Sequence, residues 1–576
     1  MNATTRRAAP RFAPRLICTL TAVALLAACS PPRDSAPQQA LVEPAAPQGA
    51  VQPPSLPPPP NPVLTPAPLA YEAQADAART TKRMIMPSPA SQPMAEPNRE
   101  RYSKYAENPV KRTAQEPLAT FGVDVDTGSY TNVRRMLSMG KLPPADAVRA
   151  EEFINYFNYG YTPPAARDTP FSITTELAPA PWNPKRQLLL VGIQGWKPDV
   201  SAMPPANLVL LVDTSGSMAS ADKLPLVKAG MRQLVAQLRP QDRVAIVTYA
   251  GSAGVALKST AGDKKAEILA AIDQLRAAGS TNGDAGLEMA YNEAARSLIP
   301  NGVNRILLAS DGDFNVDTTD IDKLKERIAT QRKRGIGLTT LGVGSGNYNE
   351  ALAQQLANAG NGSYHYLDNL QEARRVLVHQ MGATLYTIAK DAKVQVEFNP
   401  ALVSEYRLIG YEKRALANED FNNDQVDSGE IGAGASVTAL FEITPTGSGA
   451  ERVDPLRYGQ PAAGTAPAKT DELALVKVRY QAPEGGASKL VERPVPARAS
   501  EASSDRMAQA AAAGAFAQWL RGGKYLDGYQ PADMSALIRK HQPGSEMTAL
   551  AELIDTAASL GTPAQAQASV PTTNPQ

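Results

Sequence analysis

Between residues 208 and 383, apolar runs of strand length alternate with segments of helical period, and this alternation restricts the fold more than any other feature of the chain. Leu208-Val-Leu-Leu-Val212 and the run at 305–309 are short and continuously apolar, as strands covered on both faces must be. Between them, 224–238 carries Leu226, Val227, Met231, Leu234 and Leu238 on one helical stripe. Further strands are predicted at 243–249, 254–259, 336–343 and 363–367, and further helices at 264–275, 287–298, 321–332, 350–359 and 371–383. Repeated β-α units of this kind predict an α/β fold, a doubly wound and mostly parallel sheet with helices on both faces.

The period changes on either side. Two strand-like runs, 171–177 and 187–194, precede the α/β region, and runs at 394–398, 406–411, 437–443, 473–480 and 490–495 follow it. A two-stranded unit is marginal in water, so the early pair is expected to join the later runs in one β-sandwich, with the α/β unit inserted between them. A short strand at 121–126, helices at 131–139 and 145–157, and three more at 507–520, 534–541 and 546–560 complete the flanks. The expected divisions are a flank at 102–204, the α/β domain at 205–384, a β region at 385–500, helices at 501–562 and a disordered tail at 563–576.

The first 28 residues look like an address. Arg6, Arg7, Arg11 and Arg15 precede thirteen mostly apolar residues, 16–28, too few to span a bilayer, which takes about 20, but suited to a secretory signal. The stretch Leu26-Ala27-Ala28-Cys29 resembles the bacterial lipobox. That resemblance implies a signal peptide at 1–28, acylation (palmitate included) of Cys29, and an envelope protein held by lipid; Ser30 at the next position favours the outer membrane of a Gram-negative cell. Loss of Cys18 with the signal leaves Cys29 as the remaining cysteine of the two, so an internal disulfide is excluded. Residues 29–101 are read as a tether. Of the 49 prolines, 18 fall in 30–100, including Pro57 to Pro60, a composition that cannot build a core and favours extended polyproline II.

The residues that carry chemistry stand at the ends of the α/β strands, where doubly wound sheets hold ligands. Asp213-Thr-Ser215-Gly-Ser217 follows the strand at 208–212. Gly279-Ser-Thr281-Asn-Gly283 precedes a helix, and Ser310-Asp311-Gly312 follows the strand at 305–309. The three loops offer only oxygen donors, which suit a hard cation. Here the chain resembles the von Willebrand factor A (VWA) domain, whose metal-ion-dependent adhesion site (MIDAS) is an Asp-x-Ser-x-Ser motif, a Thr in a second loop and an Asp in a third. The resemblance implies Ser215, Ser217 and Thr281 at or near the metal, and Asp213 and Asp311 holding it directly or through water. The metal expected is Mg²⁺, or another divalent cation such as Mn²⁺ or Ca²⁺. Phe121–Arg135, Ala150–Gly160 and Tyr406–Glu430 extend the likeness to bacterial VWA lipoproteins with flanking domains of their own.

Other motifs are weaker. Asp126-Thr-Gly-Ser129 looks like an aspartic-protease turn, but Asp213 follows too soon for two β lobes; a helix-capping role is expected for Asp126 or Ser129. Asp420-x-Asn422-x-Asp424 begins like an EF-hand, but Gln425 and Ile431 replace the Gly and Glu that such a loop needs. The three histidines, at 365, 379 and 541, are read as surface or boundary residues. A formal charge of +1 excludes a general nucleic-acid binder. Removing the four leader arginines leaves acids in excess by three. The expectation is a non-enzymatic protein that binds an acidic side chain of a partner through the metal. The alternatives are a metal-assisted envelope hydrolase and a structural envelope protein that caps its own metal.

Overall fold

The computed structural model describes residues 99–312, 321–454 and 471–563. The signal, Cys29, nearly all of the tether and the tail after 563 lie outside the described residues.

The α/β unit is a six-stranded sheet in the order Tyr364–Leu367, Ile336–Val343, Val303–Ser310, Ala206–Asp213, Arg243–Tyr249 and Ala253–Ala261. The first five are parallel and the last is antiparallel. All eight residues of Ala206–Asp213 are buried. Leu208, Leu210 and Val212 pack into one cluster with Val227, Met231 and Leu234, while Val209 and Leu211 face Leu287, Ala290 and Leu356 on the other side. A strand covered by helices on both faces has no solvent side to carry polar residues, which explains its continuous apolar run.

The flanking strands form the expected sandwich. One antiparallel sheet runs Lys111–Arg112, Val403–Ile409, Ser436–Pro445, Asn183–Gly195 and Phe171–Ala180. The other runs Gly429–Gly432, Thr387–Phe398, Glu472–Gln481 and Lys489–Pro496, and Leu118–Gly122 also pairs with Thr387–Phe398. Phe441 lies opposite Leu189 across the first sheet, so strands from both sides of the α/β insertion are hydrogen-bonded neighbours. Leu189, Val191 and Ile193 point between the sheets, towards Val394, Val396 and Val476. Leu188 and Leu190 point outward under Asp505–Leu520 and Ala150–Asn155, with Met507, Phe516, Phe153 and Ile154. The flank thus has three layers: helices, sheet and sheet.

Three local expectations need correction. Neither Asp126 nor Ser129 caps a helix. Helix Gly128–Ser138 starts at Thr127 without a side-chain cap; Asp126 accepts from the Tyr364 amide (2.7 Å), and Ser129 donates to the Ala147 carbonyl (2.7 Å). The helix expected at 371–383 breaks into Leu370–Arg374, a π turn at Arg375–His379 and Met381–Leu385. His365 is not at the surface: it is buried, with its ring nitrogens at Thr127 Oγ1 (3.3 Å) and Ser363 Oγ (2.9 Å), and burial pushes its pKa down to about 4.

The junction between the α/β unit and the flank buries charge. Glu151, Glu152 and Arg149 meet Glu350, which opens helix Glu350–Ala359, and Arg149 pairs with both Glu152 and Glu350. Glu151 Oε2 has no hydrogen-bond partner. Burial, reinforced by Glu412, Asp124 and Glu152, pushes its pKa up to about 8; burial outweighs Arg149 and pushes Glu350 up to about 7. Between the ordinary glutamate value and these raised ones, the folded state holds more protons than the unfolded chain, so stability falls as pH rises through that window. Glu151→Gln is therefore expected to raise Tm by several degrees at pH 8.5 and to change it little at pH 5.5. Thermal denaturation at the two pH values checks this.

Candidate metal centre

Strand Ala206–Asp213 delivers Asp213 to the carboxyl edge of the sheet, fully buried. The chain then turns sharply. The Ser215 amide donates to Asp213 Oδ1 (2.9 Å), and the Ser215 and Ser217 hydroxyls stand 3.0 Å apart. Met218 is buried beneath the 3-10 turn Gly216–Ala219 and anchors it from below.

The second loop is tied to the first by backbone. The Gly216 amide donates to Gly279 O (2.9 Å), and the Asn282 amide to Ala250 O (2.7 Å). Asn282 caps helix Gly283–Arg296, which begins four residues earlier than its apolar stripe suggested. Thr281, half-buried, sits between these two ties. The third loop is linked by Ser310, whose hydroxyl donates to Asp213 Oδ2 (3.2 Å). Asp311 follows, fully buried. Gly312, at φ +92°, lies so close to the Tyr348 and Asn349 backbone that a Cβ would clash.

The structure therefore brings the three loops together through direct bonds: Asp213, Ser215 and Ser217 by their own side chains, Asp311 through Ser310, and Thr281 through its loop backbone. Two carboxylates and three hydroxyls, with no nitrogen or sulfur, fit a hard divalent cation. Burial pushes Asp213 up to about 6, opposed by hydrogen bonds from Ser215. The Tyr249 hydroxyl is buried beside Asp213 and Ser310, and its pKa is driven well above the ordinary range.

Sequence reading missed Lys223. Its Nζ donates to Asp311 Oδ2 at 2.8 Å, and both side chains are buried. The Lys223 stem runs over Gly344, at φ +71°, where a side chain would collide with it. The signal was in the sequence, as a basic residue just before the helix that follows the first loop, but a lysine there reads as solvent-facing. None of the three histidines bonds to Ser215 or Ser217 among the described residues. His541 pairs with Asp505, and His379 is exposed.

A second carboxylate group, Asp124, Asp126 and Glu152, is also close-set and buried. Arg414 binds Asp124 and Asp126, and Glu152 accepts from Arg149 and the Ser129 amide, so these oxygens are already satisfied. Asp424, from the EF-hand-like stretch, is taken up by Arg479 and Ser488. The described chain begins beside the metal loops: the Arg99 amide donates to Gly346 O (2.7 Å), Arg101 to Tyr348 O (2.9 Å), and Glu100 accepts from the Gly346 amide.

Comparison with known proteins agrees with this architecture. Residues 207–379 match the von Willebrand factor type A domain model, 96–190 a model described as von Willebrand factor, and 383–560 the C-terminal model of YfbK. Domains of the VWA type typically mediate protein–protein interaction and bind a divalent metal at the Asp-x-Ser-x-Ser loop. A solved von Willebrand factor type A protein from Catenulispora acidiphila is 15% identical, covering 70% of this chain and 91% of its own, with a TM-score of 0.38. "Uncharacterized protein sll0103" from Synechocystis sp. is 26% identical over 51% of this chain and 65% of its own. "Uncharacterized protein YfbK" from Escherichia coli (strain K12) is 51% identical over 440 residues, covering 75% of this chain and 76% of its own. With half of the aligned residues shared over three quarters of both chains, and with the VWA and C-terminal models matched in the same order as the folded units, this protein belongs to the YfbK family of VWA-domain proteins.

Proposed function

We propose that the protein is a lipid-anchored envelope protein that captures an acidic side chain of a partner protein through a divalent cation held by Asp213, Ser215, Ser217, Thr281 and Asp311. The observation that carries this reading is the charge count at the three loops. Asp213 and Asp311 contribute two negative charges, and the buried Lys223 ammonium returns one positive charge. A bound divalent cation supplies an open coordination position and leaves one positive charge uncompensated, which a single incoming carboxylate neutralises. Ser215 and Ser217 hold their oxygens in one orientation through the Asp213 turn, and Met218 keeps that turn from moving inward.

The hydrolase alternative needs a general base beside the metal. Among the described residues the three loops hold no His or Glu, and Lys223 is committed to Asp311. Binding without turnover is therefore the reading supported. Cys29 as the acylated residue follows from the lipobox. Among the described residues, no helix is long and apolar enough to cross a membrane.

Affinity capture from an envelope extract tests the proposal. Wild type is expected to retain partners that are lost both with chelator and in Asp213→Asn, and moderate salt should weaken capture less, because a metal–carboxylate bond is little screened. Equal capture with and without chelator would instead favour a structural protein with a self-capped metal. Detergent phase partitioning checks the anchor: wild type should enter the detergent phase, and Cys29→Ala the aqueous one.

A further inference from the structure

At the root of the VWA insertion, a cleft of about 300 Å³ opens where the two sandwich sheets diverge. Its walls are Trp196, Tyr386 and Tyr480, with Ile388 at the base and Pro170 and Pro483 on the rims. Trp196 lies on the segment leading into the VWA domain and Tyr386 on the segment leading out. Both are half-buried and fixed by backbone. The Trp196 amide donates to Pro170 O, the Gly434 amide to Trp196 O, and the Ala433 amide to Tyr386 O. Tyr480 is braced edge-on by Phe171, with ring centroids 5.0 Å apart. Four charged residues stand around the mouth: Arg167 and Lys489 against Asp168 and Glu484, a net charge of zero. The cleft lies towards the amino end of strand Ala206–Asp213, whose eight residues separate that end from the metal loops by about 25 Å at ~3.3 Å per residue.

We propose that this cleft docks the chain's own proline-rich segment around Pro57–Pro60 as a polyproline II strand. Three observations select that occupant. Aromatic walls with ring faces and polar tips are the surface on which polyproline II segments dock, because that helix leaves its carbonyls free and its proline rings as flat apolar ridges. The neutral mouth suits a neutral guest: residues 44–71 hold eleven prolines and no charged residue. The length is also sufficient. Thirty-nine residues separate Pro60 from Arg99, where the described chain is pinned to Gly346. At ~3.1 Å per residue they reach up to ~120 Å, about twice the diameter implied by a radius of gyration near 23 Å for a folded part of this size. A connection of that length sets an effective concentration on the order of 1 mM, so an intrinsic Kd of ~0.1 mM suffices for mostly docked chain. Because both crossings into the VWA domain line the cleft, docking would also brace the insertion against the sandwich.

The full chain labelled with 5-fluorotryptophan tests this by fluorine NMR. The three tryptophans give three resonances, and Trp196→Phe assigns one of them. Replacing Pro57, Pro58, Pro59 and Pro60 together by serine is expected to shift the Trp196 resonance and leave those of Trp182 and Trp519 in place. A synthetic peptide of residues 51–70, added in excess, is expected to return it. These substitutions lie outside the folded part, so unchanged Trp182 and Trp519 signals report an intact fold. An unshifted Trp196 resonance overturns the proposal. So does a shift that disappears on tenfold dilution of wild type, which would make the occupant a second copy. Reversal by chitotetraose but not by the peptide would assign the cleft to glycan and overturn it as well.

Discussion

Asp213→Asn is expected to weaken divalent-cation binding at least 100-fold, about 2.8 kcal/mol, while leaving the fold intact. Asparagine keeps an oxygen for the Ser215 amide and a polar group for Ser310, the two bonds that shape the loop. It removes one of the two negative charges. With Lys223 still present, the protein's charge at the loops falls from one negative to zero, so nothing remains to offset the cost of dehydrating the cation. Titration calorimetry with Mg²⁺ and Mn²⁺ reads the loss. The metal-free variant should melt within about 2 °C of wild type or above it, because burial already disfavours the Asp213 carboxylate. Equal metal affinity in the two proteins would remove Asp213 from the ligand set.

The second large effect is expected at Lys223, and it has opposite signs in the two states. Lys223→Met leaves Asp311 buried without its cation, a loss on the order of 3–5 kcal/mol for breaking such a pair, so the metal-free protein should melt well below wild type. The same change doubles the negative charge available to a metal, from one to two. Metal affinity should therefore rise about tenfold or more, and added Mg²⁺ should restore most of the lost Tm. Differential scanning fluorimetry with and without Mg²⁺, beside calorimetry, separates this from ordinary destabilisation, in which metal would rescue nothing. A second consequence concerns the partner. The metal-loaded variant carries no net positive charge, so an acidic ligand should bind it more weakly although the metal binds more tightly.

How far the sequence led depends on where each residue's constraints lie. Leu208–Val212 was legible because its surroundings demand apolar side chains on both faces, and that demand is written locally. The sandwich was legible by counting, since two strands at 171–194 cannot stand alone. The five candidate metal residues were legible because each lies at a strand or helix end whose position the α/β pattern already sets. Lys223 was not, because its partner Asp311 lies 88 residues away and a single lysine carries no period. His365 was misread for a related reason. Strand Tyr364–Leu367 is at the sheet's edge, but Gly128–Ser138, more than 200 residues earlier, packs over it and takes Tyr366 O through Thr131. Asp126 pairs with Tyr364 across 238 residues, a constraint that local capping rules cannot contain. The π turn at Arg375–His379 is announced by no Pro or Gly.

The clip formed by Arg99 and Arg101 on Gly346 and Tyr348 also has a mechanical consequence. Tension on the N-terminus meets this short backbone pairing before it reaches either the sandwich or the VWA sheet. Two amide bonds joined to an Arg135–Glu100 pair are a small load-bearing element, and peeling them requires no unfolding of any core. A partner held at the metal loops and an anchor pulling on the tether would thus load opposite sides of the same surface turn, 344–349. The first thing to yield would be a reversible latch, lengthening the leash while the grip on the partner stays closed.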